Sequence, residues 1–79
     1  MVAYRCVSGI RKVRKDIGAN IRTFRKKARL SQKRLAEKAE LHPVYISQVE
    51  CGTKALSVEA LWKLSRALGV PMSALFRGI

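Results

Sequence analysis

Four residues near the middle of the chain have the side chains and the spacing to read the edges of bases. The steps i, i+3, i+4 and i+7, which follow one face of an α-helix, connect Val44, Ser47, Gln48 and Cys51. A glutamine amide can form two hydrogen bonds to an adenine edge, and a valine can contact a thymine methyl group. The alternative is that this small, nearly uncharged face is ordinary solvated helix surface.

The charge of the chain favours a particular kind of partner. Its 79 residues carry 17 Lys and Arg against 5 Asp and Glu, a formal net charge of +12, and a field of that sign attracts polyanions. Most of these cations lie in residues 1–34, where Asp16 is the single acid. Nucleic acid is therefore the first partner to consider, and an acidic protein is the alternative.

Metal, redox and enzyme chemistry are not indicated. Cys6 and Cys51 are far apart and the one histidine is His42, which argues against a zinc site or a disulfide framework. We find no phosphate-binding glycine loop and no nucleophile-base pair, so we expect no enzyme, no cofactor and no small-molecule ligand. No apolar run approaches the ~20 residues that cross a membrane and no secretory signal is evident, so we expect a cytoplasmic protein.

An apolar repeat in the N-terminal part of the chain predicts the first helix. Apolar residues recur in steps of three, four and seven from Ile10 to Ala28, which marks one helical face. Asp16 could cap a helix start, so we predict a helix from about Asp16 to Ala28 at the head of a domain over residues 16–79. Residues 1–15 are a basic N-terminal arm or an extension of that helix, and in either form their cations could contact nucleic acid.

Four further helices and no strand follow, so the expected fold is a compact all-α domain of five helices. Capping residues and helix breakers predict Gln32–Ala39 after Ser31, Pro43–Glu50, a helix from Ser57 to Gly69, and a last short helix after Pro71. The second and third helices are short and are joined by the three-residue turn Glu40-Leu41-His42. This is the geometry of a helix-turn-helix, whose second helix enters the major groove of DNA.

The segment LSQKRLAEKAELHPVYISQVECGTKALSVEALWKLSRALGV resembles the Cro and lambda-repressor-type (XRE-type) helix-turn-helix regulators. The shared pattern is LSQ-x-x-LA-x-x-A, a turn, YIS-x-x-E-x-G and a leucine-rich helix ending in ALGV, and it covers about residues 17–76. The resemblance implies a DNA-binding domain in which Val44, Ser47 and Gln48 face bases. The residues that we place on backbone phosphates are Gln32, Lys33, Tyr45 and Lys54.

The turn and the two helix starts depart from the family's pattern. Glu40 stands where a glycine is frequent, and would hold a left-handed conformation at a cost of roughly 1–2 kcal/mol. His42 stands where Ser or Thr commonly caps the third helix, and we expect its imidazole to accept a backbone hydrogen bond or to approach a phosphate. Lys33 and Arg34 replace acids early in the second helix, which fits a helix end aimed at an anion.

The resemblance also implies an ion pair and a dimer. Arg25 and Glu50 correspond to a partly buried ion pair, which we interpret as structural rather than catalytic. Single-domain members of the family commonly pair through their C-terminal end and present two reading helices about 34 Å apart. The residues of the expected dimer interface are Trp62, Leu75, Phe76 and Ile79.

The combined prediction is a homodimeric, sequence-specific transcription regulator of bacterial or phage type that binds a pseudo-palindromic site in double-stranded DNA. A restriction-modification controller or an antitoxin would have the same fold. A protein-interaction module with an acidic partner is the alternative from another class. In that case charge reversal at Lys33 and Arg34 would abolish binding, whereas Gln48→Ala would leave it intact.

Overall fold

Four α-helices and one short 3₁₀ helix form the part of the chain that the structure describes. The structure is a computed structural model that describes the backbone of residues 2–79 and the side chains of residues 9–79. The helices are α1 Val2–Lys27, α2 Gln32–Ala39, α3 Pro43–Glu50, α4 Val58–Leu68 and the 3₁₀ helix Met72–Phe76. The all-α class is confirmed, and residues 2–79 contain no strand.

Four of the five predicted helices are α-helices, and the last, short one after Pro71 is a 3₁₀ helix. Pro71 precedes it with extended backbone angles, and Gly78 follows with a φ of 82°. Between these two residues there is room for little more than one turn, and such short segments commonly take the tighter 3₁₀ form.

The predicted start of the first helix at Asp16 is wrong. The carboxylate of Asp16 does not cap a helix end, because it accepts a 2.7 Å hydrogen bond from Nζ of Lys12, one turn earlier within α1. At 1.5 Å per residue a helix of 26 residues is about 39 Å long, close to the 42 Å long dimension of the molecule. In this structure residues 2–15 are thus the first part of α1. No helix within residues 2–79 combines the length and the apolarity needed to cross a bilayer.

A single apolar core draws on every one of these elements. Its most deeply buried side chains are Ile17, Ile21, Leu35, Ala36, Ala39, Ile46, Val49, Leu61, Leu64 and Leu75. The short helices α2 and α3 bury one face each in this core, so α1 and α4 hold them at a set angle. Their opposite faces stay in solvent, which leaves the outer side of α3 available to a partner.

Candidate nucleic-acid interface

The turn between α2 and α3 depends on a left-handed residue that is not glycine. Glu40 has φ 57° and ψ 44°, as its place in the family's pattern predicts. The N–H groups of Glu40 and Leu41 donate to the carbonyls of Glu37 at 3.3 Å and Ala36 at 2.9 Å. These bonds satisfy the last carbonyls of α2, and the chain reverses within three residues to begin α3.

Side chains cap both helices of the pair. Oγ of Ser31 accepts a hydrogen bond from the N–H of Arg34 at 3.0 Å, so the predicted start of α2 is confirmed. Nδ1 of His42 accepts from the N–H of Val44 at 3.1 Å, and Pro43 is the first residue of α3. Of the two roles expected for His42, the structure shows the backbone hydrogen bond. A cap of this kind stabilises a helix by roughly 0.5–2 kcal/mol.

The outer face of α3, which we call the reading face, consists of Val44, Ser47, Gln48 and Cys51. Val44 is 55% exposed although it is apolar, Gln48 and Cys51 are exposed, and Ser47 is half-buried. On the inner side of the same helix, Ile46 and Val49 are almost completely buried. The amide of Gln48 forms no hydrogen bond with any side chain or backbone group of the described residues, so both its donor and its acceptor are free for a base edge.

A buried network ties α1, α2 and α3 together beneath the reading face. The guanidinium of Arg25 donates to Oε2 of Glu50 at 2.7 Å and to Oε1 at 3.1 Å, and a third bond reaches the carbonyl of Leu30 at 2.9 Å. The two charged side chains are only 11% and 4% exposed. This is the ion pair that the resemblance implies, and its two-pronged geometry sets the end of α3 against α1.

Gln32 joins this network instead of standing free at the start of α2. Its amide nitrogen donates to Oε1 of Glu50 at 3.1 Å, and the side chain is half-buried. One of the two amide protons is used in that bond, and the second remains for a phosphate. The predicted phosphate contact of Gln32 is therefore compatible with its structural contact, and it stays a prediction.

The other residues assigned to phosphates lie within or directly after the two helices of the pair. Lys33, in the first turn of α2, and Lys54, in the loop after α3, are exposed. Tyr45 is half-buried, and its hydroxyl donates to the carbonyl of Ala55 at 3.3 Å. That contact anchors the loop that carries Lys54, so the structure shows Tyr45 as a support for the loop. A phosphate contact of Tyr45 stays a prediction.

A glycine in the middle of α1 brings this helix into contact with the end of α3. A Cβ atom at Gly18 would overlap the carbonyl oxygen of Val49 and would lie 2.9 Å from that of Glu50. Gly52, which follows that helix end, makes a similar close approach, because a Cβ there would lie 2.6 Å from Cγ of Lys15. Sequence reasoning treated Gly18 as a weakness of the first helix and Gly52 as the end of the third, and it predicted neither contact. The signal that was available is a glycine inside a regular apolar repeat, which often marks a close approach of two backbones.

The apolar C-terminal residues divide into core and surface. Leu75 is completely buried within the single chain, so its assignment to the dimer interface is wrong. Trp62, Phe76 and Ile79 are 51%, 39% and 53% exposed, and sequence reasoning missed Val58, which is 75% exposed. A shallow groove of about 300 Å³ lies between α1, the loop before α4 and Phe76, and its lining is almost entirely apolar.

The residues that the structure describes contain no group of three His, Cys, Asp or Glu side chains placed to hold a metal ion. Cys51 is an exposed free thiol, and the side chain of Cys6 lies outside the described residues.

Comparison with known proteins agrees with this geometry. The helix-turn-helix family model HTH_3 matches residues 21–75, which span α2, α3, α4 and part of α1. The control protein C.BamHI of Bacillus amyloliquefaciens is 41% identical over 59 residues, which is 73% of this chain and 73% of that protein.

Solved structures have the same fold. The restriction-modification controller protein C.AhdI of Aeromonas hydrophila superposes with a TM-score of 0.79 at 32% identity, covering 80% of this chain and 96% of that one. The clp gene regulator ClgR of Corynebacterium glutamicum superposes with a TM-score of 0.77 at 33% identity, covering 80% of this chain and 67% of that one. With its exposed reading face and its matched helix pair, the chain belongs to the HTH_3 family of helix-turn-helix, DNA-binding transcription regulators.

Proposed function

We propose that this chain is a homodimeric controller protein that binds a pseudo-palindromic site in double-stranded DNA and regulates transcription of a restriction-modification system. Two similar proteins, C.BamHI and C.AhdI, are named as a control protein and a restriction-modification controller. Such a regulator acts in the cytoplasm of a bacterium, where the DNA lies. The proposed DNA-contacting residues are Val44, Ser47 and Gln48 on bases and Gln32, Lys33, Tyr45 and Lys54 on phosphates.

One observation carries the mode of binding, namely the free amide of Gln48 on a helix that cannot rotate. The inner side of α3 is held by Ile46 and Val49 in the core and by the ion pair of Glu50 with Arg25. A rigid helix loses little backbone freedom on binding, so only the side chain of Gln48 has to be ordered. A major groove about 12 Å wide admits such a helix, and cations at Lys33 and Lys54 are available to the backbone on either side.

We expect Gln48→Ala to remove sequence preference at one or two adjacent base pairs. A bidentate contact between an amide and a base contributes on the order of 1–3 kcal/mol of discrimination. The measurement is selection of bound sites from random duplex DNA, performed in parallel with the wild-type chain and the variant.

Ser73→Ala serves as the control, because Ser73 is exposed on the 3₁₀ helix and is not one of the proposed DNA-contacting residues. This variant should return the wild-type consensus. An unchanged consensus for Gln48→Ala would refute the assigned role.

If no duplex sequence is enriched and charge reversal at Lys33 and Arg34 abolishes binding to an acidic protein, the protein-interaction alternative holds. The controller assignment further expects the selected sequence to occur in promoters of a restriction-modification system that neighbours the gene.

The exposed apolar surface supports the dimer. Val58 and Trp62 lie one turn apart on α4, and Leu61, between them in sequence, lines the apolar groove together with Ile10 and Phe76. Exposed apolar side chains gathered in this way mark association sites more often than they mark free surface. A two-fold pair formed here would present two reading faces to one side of a duplex.

We expect Trp62→Lys to dissociate the proposed dimer. Placing an ammonium group in an apolar interface removes buried apolar area and adds an unpaired charge, so the dimer dissociation constant should rise at least about tenfold, or 1.4 kcal/mol. Sedimentation equilibrium measures this constant, and circular dichroism checks that the variant is folded. Val44→Lys is the matched control, because it puts the same charge on an exposed apolar residue of the reading face. Equal dissociation constants for all three proteins would contradict an interface at Trp62.

A further inference from the structure

The early part of α1 passes the end of the reading face. Gly18 lies against the last carbonyls of α3, and Lys15 lies against Gly52, the residue that follows Cys51. The turns of α1 before Lys15 therefore continue outward from the point where the reading face ends and the loop with Lys54 begins. They extend the molecule along its longest dimension, which is 42 Å.

Two exposed cations without an ion-pair partner share one face of this part of the helix. Arg11 and Lys15 are four residues apart and share one helical face, and both are exposed. All five acids of the chain lie within the described residues, and none of them forms an ion pair with Arg11 or Lys15. Asp16 instead pairs with Lys12, at 2.7 Å. The charges of Arg11 and Lys15 are consequently uncompensated next to the reading face.

The first part of α1 lies outside the part of the chain that matches the family. The alignment covers 96% of C.AhdI and 80% of this chain, so about a fifth of the 79 residues, roughly 16, has no counterpart there. The family match ends at residue 75, which leaves only residues 76–79 after it. The family match begins at residue 21, so Arg11 and Lys15 precede it.

We propose that Arg11 and Lys15 form a second contact with the DNA backbone, beyond the base pairs that α3 reads. This inference rests on the proposed DNA-binding mode. With Lys54 of the adjoining loop, the two cations form a basic edge next to Cys51, and phosphates that continue past the major-groove contact are the anions within its reach. The contact adds affinity for any sequence, because it reads charge and not base edges.

The test is the salt dependence of binding to the selected duplex by the wild-type chain and by the double variant Arg11→Gln/Lys15→Gln. The logarithm of the binding constant falls with the logarithm of salt concentration with a slope of about −0.9 for each phosphate contact. We expect the slope of the variant to be shallower by about 0.9 for each phosphate that its complex no longer neutralises. Site selection by the variant should return an unchanged consensus.

Arg77→Gln is the matched control, because Arg77 stacks on Phe24, which lies nine residues from Lys15 and so, at 100° per residue, on the opposite side of α1. It should keep the wild-type slope. The proposal is overturned if the double variant keeps the wild-type slope. It is also overturned if Arg77→Gln makes the slope shallower by as much, per charge removed, as the double variant does. Failure of the proposed function would be visible separately, since the wild-type chain would then select no duplex sequence at all.

Discussion

Replacing Arg25 by methionine is expected to lower the free energy of unfolding by about 3–5 kcal/mol. The carboxylate of Glu50 is 4% exposed, and without the guanidinium it would be left as a buried charge with only the amide of Gln32 bound to it. A domain of this size has a total stability of about 4–12 kcal/mol at 0.05–0.15 kcal/mol per residue. The expected loss is therefore at least about a quarter of the total stability. Urea denaturation followed by circular dichroism measures the change.

Arg34→Met provides the matched control for this change. The pair of Arg34 with Glu37 has a 3.6 Å separation and side chains that are 69% and 54% exposed, so its loss should cost less than about 1 kcal/mol. A double variant, Arg25→Met/Glu50→Leu, removes both charges and should recover much of the stability, because replacing a whole buried pair by apolar groups is often neutral. If Arg25→Met costs no more than Arg34→Met, the ion pair does not hold α3 in place.

Replacing Gly18 by alanine is expected to destabilise the protein by up to about 2 kcal/mol, although alanine favours a helix. The added methyl group meets the carbonyl oxygens of Val49 and Glu50, which belong to backbone and cannot move aside as a flexible side chain could. Overpacking of this kind costs roughly 1–3 kcal/mol and occasionally more, against a helix-propensity gain of about 1 kcal/mol. Thermal and urea denaturation give the change in stability.

Gly9→Ala is the matched control, and it should change stability in the opposite direction. Gly9 lies in the same helix, and a Cβ added there has no neighbour within 4 Å, so only the propensity gain of roughly 0.5–1 kcal/mol remains. Where Gly18→Ala stays folded, we also expect weaker binding to the selected DNA, because the end of α3 must shift away from α1. Equal effects of the two substitutions would show that α1 and α3 do not meet at Gly18.

These two contacts explain how so small a domain keeps its reading face rigid. The short helix α3 has eight residues, too few for an isolated helix to be stable in water. It is fixed at its start by the cap of His42, along its inner side by Ile46 and Val49, and at its end by Glu50. The backbone at Gln48 is consequently held in one position by contacts that do not involve its side chain.

Local signals in the sequence predicted the boundaries of the helix pair correctly. Ser31 caps α2, Pro43 begins α3, and the three-residue turn with its left-handed Glu40 lies where the pattern put it. These features depend on hydrogen bonds and backbone angles within about four residues, so neighbouring residue types are sufficient to indicate them.

The start of α1 and the surroundings of the C-terminal apolar residues were predicted less well. The start of α1 was misplaced at Asp16, because no proline marks its true beginning and Lys12 satisfies the carboxylate that would otherwise cap a helix. Leu75 was assigned to a dimer interface although it is buried, whereas its neighbour Phe76 is exposed. In a 3₁₀ helix successive residues point about 120° apart, and only the packing of that helix against α1 and α4 decides which of the two faces inward.

The sequence by itself determined that the chain is all-α, strongly basic, and equipped with a helix pair whose outer face carries Val44, Ser47 and Gln48. Composition, helical repeat and capping are local properties, which the order of residues expresses directly. Only the tertiary structure decided that Gln32 binds Glu50, that Leu75 belongs to the core, and that Arg11 and Lys15 flank the reading face. The last of these placements follows from the close approach of α1 to the end of α3 at Gly18 and Gly52, and a contact between residues more than thirty positions apart depends on how the whole chain packs.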